Sequence, residues 1–146
     1  MADVEGLRDP LRPVMTLQVA DHWIAVRIDQ MESVALAAHL WPVPLAQPGY
    51  VGLHDNGEQI VPVLALDEHT PASTLEQLVA ILEVRGRTVG LAIQRAGRVH
   101  EHYWVDDAAA EIPPSLERLG AQLAHASEQS FWLIDTDNLW QPHPLS

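Results

Sequence analysis

The sequence predicts a mainly β protein, a barrel or sandwich assembled from many short strands and a few helical turns. Three observations predict it. Apolar and polar residues alternate along Met15–Val19 and Ile24–Ile28, the period of half-buried strands. Turn signals recur between the apolar runs, at Asp55-Asn56-Gly57, Arg85-Gly86 and Arg95–Gly97. The stretch GLHDNGEQIVPVLAL (52–66) is echoed by LVAILEVRGRTVGLAI (78–93), each a pair of apolar strands pinched by a Gly-containing polar turn. The echo predicts two similar small β units.

Element by element, residues 1–13 carry charge, Gly and two prolines and read as a mobile tail. Met15, Leu17 and Val19 then point one way and Thr16 and Gln18 the other. Asp21-His22 turns the chain into a second strand, in which Ile24, Val26 and Ile28 face one side, completing a hairpin. A strand from Met31 to about Leu36 precedes a loop. Pro42, Pro44 and Pro48 with Gly49 forbid regular helix there. Tyr50 and Val51 restart the apolar pattern, and Ile60–Leu66 reads as a buried strand. Pro62 in that run cannot donate a ladder hydrogen bond and is expected on an edge or at a bulge, with the apolar edge beside it either open to a partner strand or covered by a loop.

Residues 67–73 form a polar connector, and a short turn at 74–78 leads into strands Val79–Val84 and Thr88–Ile93. Val99–Val105 alternates as one further strand. Leu116, Leu119 and Leu123 follow Pro113-Pro114-Ser115 at helical spacing and predict a short helix weakened by Gly120. Phe131–Ile134 is the last strand, and Asp135 caps a terminal turn through Trp140.

The composition bounds function. A chain of 146 residues with 47% hydrophobic content is long enough to bury a real core. Cysteine is absent, which excludes a disulfide framework and a zinc ribbon and fits a reducing compartment. The net charge is −12, and all eight basic residues are Arg. Such a chain is repelled by nucleic acid and by anionic membrane surfaces, so neither is expected as a partner. The N-terminus lacks the apolar core of a signal peptide, and Ile60–Leu66 is far too short to span a bilayer, so a cytoplasmic location without membrane insertion is expected.

Candidate chemistry is sparse. His100 and His102 stand two apart on an expected strand and would share one face, the start of a metal site, but spacing supplies no third ligand because Glu101 would face the other way. No G-x-S-x-G is present, and no motif places a Ser, a His and an Asp together. No Gly-rich phosphate cradle exists, so neither a cofactor nor a catalytic residue is expected. Five tryptophans accompany a single phenylalanine. Trp23, Trp104 and Trp132 fall on expected strands and read as core filling, whereas Trp41 in the proline-rich stretch is the candidate partner anchor.

At this point the chain resembles the CheW-like domain family, adaptor modules of bacterial chemosensory systems. The resemblance runs from about Met15 to Trp140. Leu17–Val34 is similar to the family's opening F-x-L-G-D-x-x-Y-A-L-x-I-x-x-V-x-E-V, with Val19, Asp21, Ala25, Val26, Ile28, Met31 and Val34 in register. Tyr50–Leu66 resembles Y-V-x-G-x-x-N-L-R-G-x-x-x-P-V-x-D-L, Val79–Val99 a run ending V-G-L-x-V-D-x-V-x-x-V, and Phe131–Leu139 the closing I-L-x-D-x-x-x-L.

The resemblance implies two packed SH3-like five-stranded barrels with short helices, one of them near the C-terminus. The first barrel would span about 14–66 plus a C-terminal segment and the second about 78–130, in a single domain over 14–146. It implies a non-catalytic adaptor. One barrel would dock the regulatory domain of a CheA-type histidine kinase, and the groove between barrels would take the cytoplasmic tip of a chemoreceptor at membrane-associated arrays. By position the contacts fall on Val34 and Leu36, on Asp55, Asn56, Gly57 and Glu58, on Val63 and Leu64, and on Gly90 and Gln94. The chain departs from the pattern where the turn Arg is replaced by Asn56 or Gly57, where the Asp of P-V-x-D-L is Ala65, where a Glu is Ser33 and where an Asp is Gln94. These departures mark a divergent member, with a type IV pilus or other alternative chemosensory pathway as the other setting. A metal- or ligand-binding β-barrel using His100 and His102, and a relic that only dimerises, are the competing readings.

Overall fold

The computed structural model describes residues 12–19, 21–38, 40–41, 50–66, 77–106 and 111–140. The N-terminal eleven residues, most of the proline-rich stretch and the connector at 67–76 lie outside these. The protein is mainly β. Its strands are β1 (Val14–Val19), β2 (His22–Arg27), β3 (Met31–Ala37), β4 (Tyr50–Asp55), β5 (Ile60–Leu64) and β6 (Gln77–Val84), followed by β7 (Arg87–Ile93), β8 (Arg95–His100), β9 (Trp104–Val105), β10 (Gln122–His125) and β11 (Ser130–Leu133). One helical turn, α1 (Pro114–Glu117), and 3-10 turns at Ile28–Gln30 and Thr136–Trp140 complete the described elements.

The strands form two sheets, in the orders β8-β1-β2-β11-β10-β9 and β3-β6-β7-β5-β4. Both must curl. A flat six-stranded sheet sets its edges about 24 Å apart, yet edges β8 and β9 are joined through residues 101–103, a link that reaches at most about 14 Å. In the second sheet the chain leaves β3 at Ala37 and by Trp41 is bonded to the far edge, with Trp41 N donating to Leu53 O (2.9 Å) and Leu53 N to Trp41 O (2.8 Å).

Hydrogen bonding distributes the strands between the sheets out of chain order. The two echoing hairpins, β4–β5 and β6–β7, do not seed separate units. They lie side by side in one sheet, joined by parallel pairing of Val63 with Gly90 and Leu64 with Leu91. The other sheet is built from both ends of the chain, β1–β2 with β8–β11, with β11 running parallel to β2. Pro62 consequently lies on an interior strand, between β4 and β7. Pairing with β7 begins only at Val63, so on that side the missing N–H breaks no ladder.

Two other expectations change. Leu116 and Leu119 are buried as expected, but the helix ends after one turn because Gly120 adopts φ +66°, and Leu123 belongs to β10 instead. Val99–Val105 is not one strand; it breaks at residues 101–103 between β8 and β9.

The core follows from the two-residue period. Alternate residues of β5, β6 and β7 are buried on opposite faces, which is why these strands read as continuous apolar runs. On one face Val61, Val63, Val79 and Ile81 fill the inside of the second sheet. On the other, Leu64, Ala80, Leu82 and Leu91 meet Leu17, Ile24 and Val26 of the first sheet, and this inter-sheet layer is the largest core. The first sheet keeps a small core of its own around Val14, Ala25, Ala124 and Phe131.

Candidate docking surface

The inter-sheet layer does not end where the first sheet ends. β3 pairs Val34 with Ala80 and Leu36 with Leu78, so both side chains lie on the face that carries Ala80 and Leu82 into the core. Beyond the cover of the first sheet they are exposed, Leu36 at 55%. On the opposite flank, Trp41 stands opposite Leu53 and Leu53 opposite Pro62. Ile60, two residues before Pro62, shares their face. Trp41 and Ile60 are 58% and 55% exposed. The outer face of the second sheet is thus mainly apolar, buried in its middle and open on two flanks, with Asp55 opposite Ile60 and Arg87 opposite Val84 as its charged margin.

The β4–β5 tip adjoins the second flank. Asn56 Oδ1 accepts from the N–H groups of Glu58 and Gln59 (both 2.8 Å), and Asp55 Oδ1 accepts from Gly57 N–H (2.8 Å). Short polar side chains replace missing ladder bonds and fix an exposed tip carrying Asp55 and Glu58. No Arg stands there.

The positions expected to contact partners therefore separate. Val34, Leu36 and Asp55–Glu58 are on the surface, and Gln94 is exposed in the β7–β8 corner, its N–H bound to Gln18 O (2.8 Å). Val63 and Leu64 are buried in the two cores, and Gly90 is buried between Val79 and Val63. Buried in this way, these three build the sheet that presents the others. Ala65, which stands at the family's Asp position, is also buried. The apolar edge beside Pro62 was legible in the sequence, but Ile60 and Leu53 share runs with core residues, and only the strand pairing shows which side of those runs is covered.

The expected His100–His102 pair does not form on one strand. β8 ends at His100, which is buried, stacks on Phe131 (5.2 Å between centroids) and has Nε2 2.9 Å from Gln129 Oε1. Thr16, fully buried, accepts from Arg98 N–H at 3.0 Å at a bulge in the β1–β8 pairing. His102 is exposed beyond the strand. Among the described residues no group of three or more His, Asp or Glu converges as a metal site. Trp23 and Trp132 pack against the cores, whereas Trp104 on β9 is 57% exposed.

Two titrating groups mark the base of the first sheet. The Arg27 guanidinium, bonded to Asp29 at 2.7 Å, holds that carboxyl below its ordinary value, and Arg12 adds to the effect. Burial pushes the Tyr103 hydroxyl above its ordinary value, and that hydroxyl donates to Arg12 O (2.6 Å).

Residues 13–141 match the CheW-like domain family. The chain belongs to the CheW-like domain family. Among solved structures it is similar to the scaffolding protein TtCheW from Thermoanaerobacter tengcongensis, with a TM-score of 0.65 and 17% identity over 84% of this chain and 88% of that one. At this identity the likeness is one of fold. No curated protein matches the sequence. CheW-like proteins are scaffolds and adaptors of chemotaxis. No helix among the described residues of this CheW-like chain is long and apolar enough to cross a membrane.

Proposed function

We propose that this CheW-like domain is a non-catalytic adaptor that couples the cytoplasmic tip of a chemoreceptor to the regulatory domain of a CheA-type histidine kinase. One observation carries the reading: the apolar layer between the sheets emerges as two exposed flanks on one body, Val34 and Leu36 on β3, and Trp41 and Ile60 around the half-buried Leu53 and Pro62 of β4–β5. A monomeric module without partners gains nothing from large exposed side chains at both ends of a continuous apolar face. Val34 and Leu36 border the junction of the sheets, where a helical receptor tip would lay an apolar stripe. The β4–β5 flank would take the kinase domain.

The acidic tip sharpens the second assignment. With Asp55 and Glu58 exposed and no cation between them, the kinase surface meeting this tip would carry Arg or Lys. The adaptor would act in the cytoplasm and be drawn to receptor arrays by its partners. Coupling would be geometric, because two partners bound to one rigid body have a fixed relative placement.

Immobilised kinase regulatory domain and receptor tip from the same cell test the proposal. Leu36→Asp should cost receptor binding and spare kinase binding, and Ile60→Asp should do the reverse. A folded protein that binds neither partner would overturn the proposal.

A further inference from the structure

Sequence spacing gives no sign that Ser130, His125 and Asp106 meet, yet the fold brings them into one chain of hydrogen bonds. β10 and β11 pair with His125 directly opposite Ser130. Ser130 Oγ lies 2.7 Å from His125 Nδ1, and His125 Nε2 lies 3.0 Å from Asp106 Oδ2, just beyond β9. The indole of Trp104 packs beside the imidazole, 5.8 Å between centroids and tilted by 43°. Ser130 is exposed, and the His125 and Asp106 side chains are 28% and 35% accessible.

In the neutral imidazole the chemistry fixes the proton positions. A carboxylate only accepts, so the proton bonded to Asp106 sits on Nε2. Nδ1 then carries a lone pair, and the Ser130 hydroxyl donates to it. This is the arrangement of nucleophile, base and orienting carboxylate that activates a serine, with the two ring nitrogens exchanged relative to the usual serine hydrolases.

We propose that Ser130 is an activated, acylatable nucleophile whose substrates are activated aryl esters. The Oγ attacks the ester carbonyl carbon as its proton passes to Nδ1 of His125. The carbon–oxygen bond to the aryl group then breaks, and the departing oxygen takes that proton from the imidazolium. The products are a Ser130 ester and a free phenol, with no oxidant or metal involved. Trp104 offers an apolar wall to the aryl ring. Ser130 stands on an exposed strand rather than in an enclosed cleft, so one acyl group per chain is expected rather than sustained turnover. Asp106 is a positioning residue.

The intact protein, incubated with p-nitrophenyl acetate and separately with a fluorophosphonate probe, tests this by intact mass and peptide mapping. The proposal expects one adduct, on Ser130, absent in Ser130→Ala, and slowed about 100-fold in His125→Gln. In Asp106→Asn the imidazole loses its carboxylate acceptor, so the acylation rate should fall in a protein that stays folded, and Asp106→Glu should restore it. Circular dichroism on each variant confirms that the fold persists; Ser130→Ala removes only an exposed hydroxyl. No adduct on Ser130, or an adduct formed at the same rate in a folded His125→Gln variant, would overturn the proposal.

Discussion

Gly90 on β7 and Val79 on β6 lie so close that a Cβ added at Gly90 would stand 2.7 Å from Val79 Cγ1, and 3.2 Å from Val63 Cγ2. Only glycine lets the three central strands of the second sheet close over their inner core. Gly90→Ala should therefore destabilise the protein by about 1–3 kcal/mol, the usual cost of overpacking. Urea unfolding monitored by tryptophan fluorescence measures it. A cost below about 0.5 kcal/mol would show that Val79 rotates away freely.

Surface and core variants should part company. Leu36→Asp and Ile60→Asp change exposed side chains and should shift stability by no more than about 0.5 kcal/mol. Each should weaken its own partner by about 2 kcal/mol, close to 30-fold in Kd. Leu64→Arg should instead unfold the domain, because it buries a charge in the inter-sheet layer. Thermal melts and isothermal titration separate the two behaviours.

Much of this was legible in the sequence, for identifiable reasons. The β1–β2 hairpin was clear because Leu17, Val19, Ile24 and Val26 on one face alternate with Thr16, Gln18 and Arg27 on the other, even though that second face is itself covered around Val14 and Ala25. The β4–β5 and β6–β7 hairpins were clear because their turns carry Asn56-Gly57 and Gly86. The assignment of hairpins to sheets was not, since parallel pairing of β5 with β7 leaves no local signal and β5–β7 are apolar on both faces. Val63, Leu64 and Gly90 were contact candidates by their position in the family pattern, and the same two-sided burial takes them inside. The helical spacing at Leu116, Leu119 and Leu123 misled because Gly120 stops the turn and the chain re-enters a strand. The open flank at Trp41, Leu53 and Ile60 exists only once β4 has paired with both the 40–41 segment and β5.

The β4–β5 tip should respond to loss of a single acceptor. Asn56→Ala strands the N–H groups of Glu58 and Gln59, which leaves them to water at this exposed site, and should cost about 1 kcal/mol. Faster amide exchange at those two residues, with the core amides unchanged, would be the local signature.

Asp29 should add a small acid-sensitive component to stability. Its carboxyl is held below the ordinary value by Arg27 and Arg12, so its contribution is fully present above the unfolded carboxylate range, near pH 4, and is lost as pH falls through the lowered native value. The pair is solvent-exposed, so the effect should shrink in 0.5 M salt. The difference in unfolding midpoint between wild type and Asp29→Asn, followed from pH 6 to pH 2, should narrow on acidification. A difference independent of pH would contradict the ion-pair account.

Tyr103 carries the opposite sign. Burial raises its native value, so the stability it contributes is intact below the ordinary phenol range, near pH 10, and is lost as pH rises through the raised value. An alkaline absorbance titration should show Tyr103 ionising above the free phenol, and Tyr103→Phe should remove that phase. The variant should also cost about 1 kcal/mol through the lost bond to Arg12 O.

The central claim is that two separate apolar flanks serve two different partners. Isothermal titration of the full chain with the kinase regulatory domain, then with the receptor tip added to the preformed complex, tests it most directly. The account predicts a 1:1:1 complex in which Leu36→Asp weakens only the receptor step and Ile60→Asp only the kinase step. Competition between the two partners for one site, or loss of both steps from either substitution in a folded protein, would contradict it.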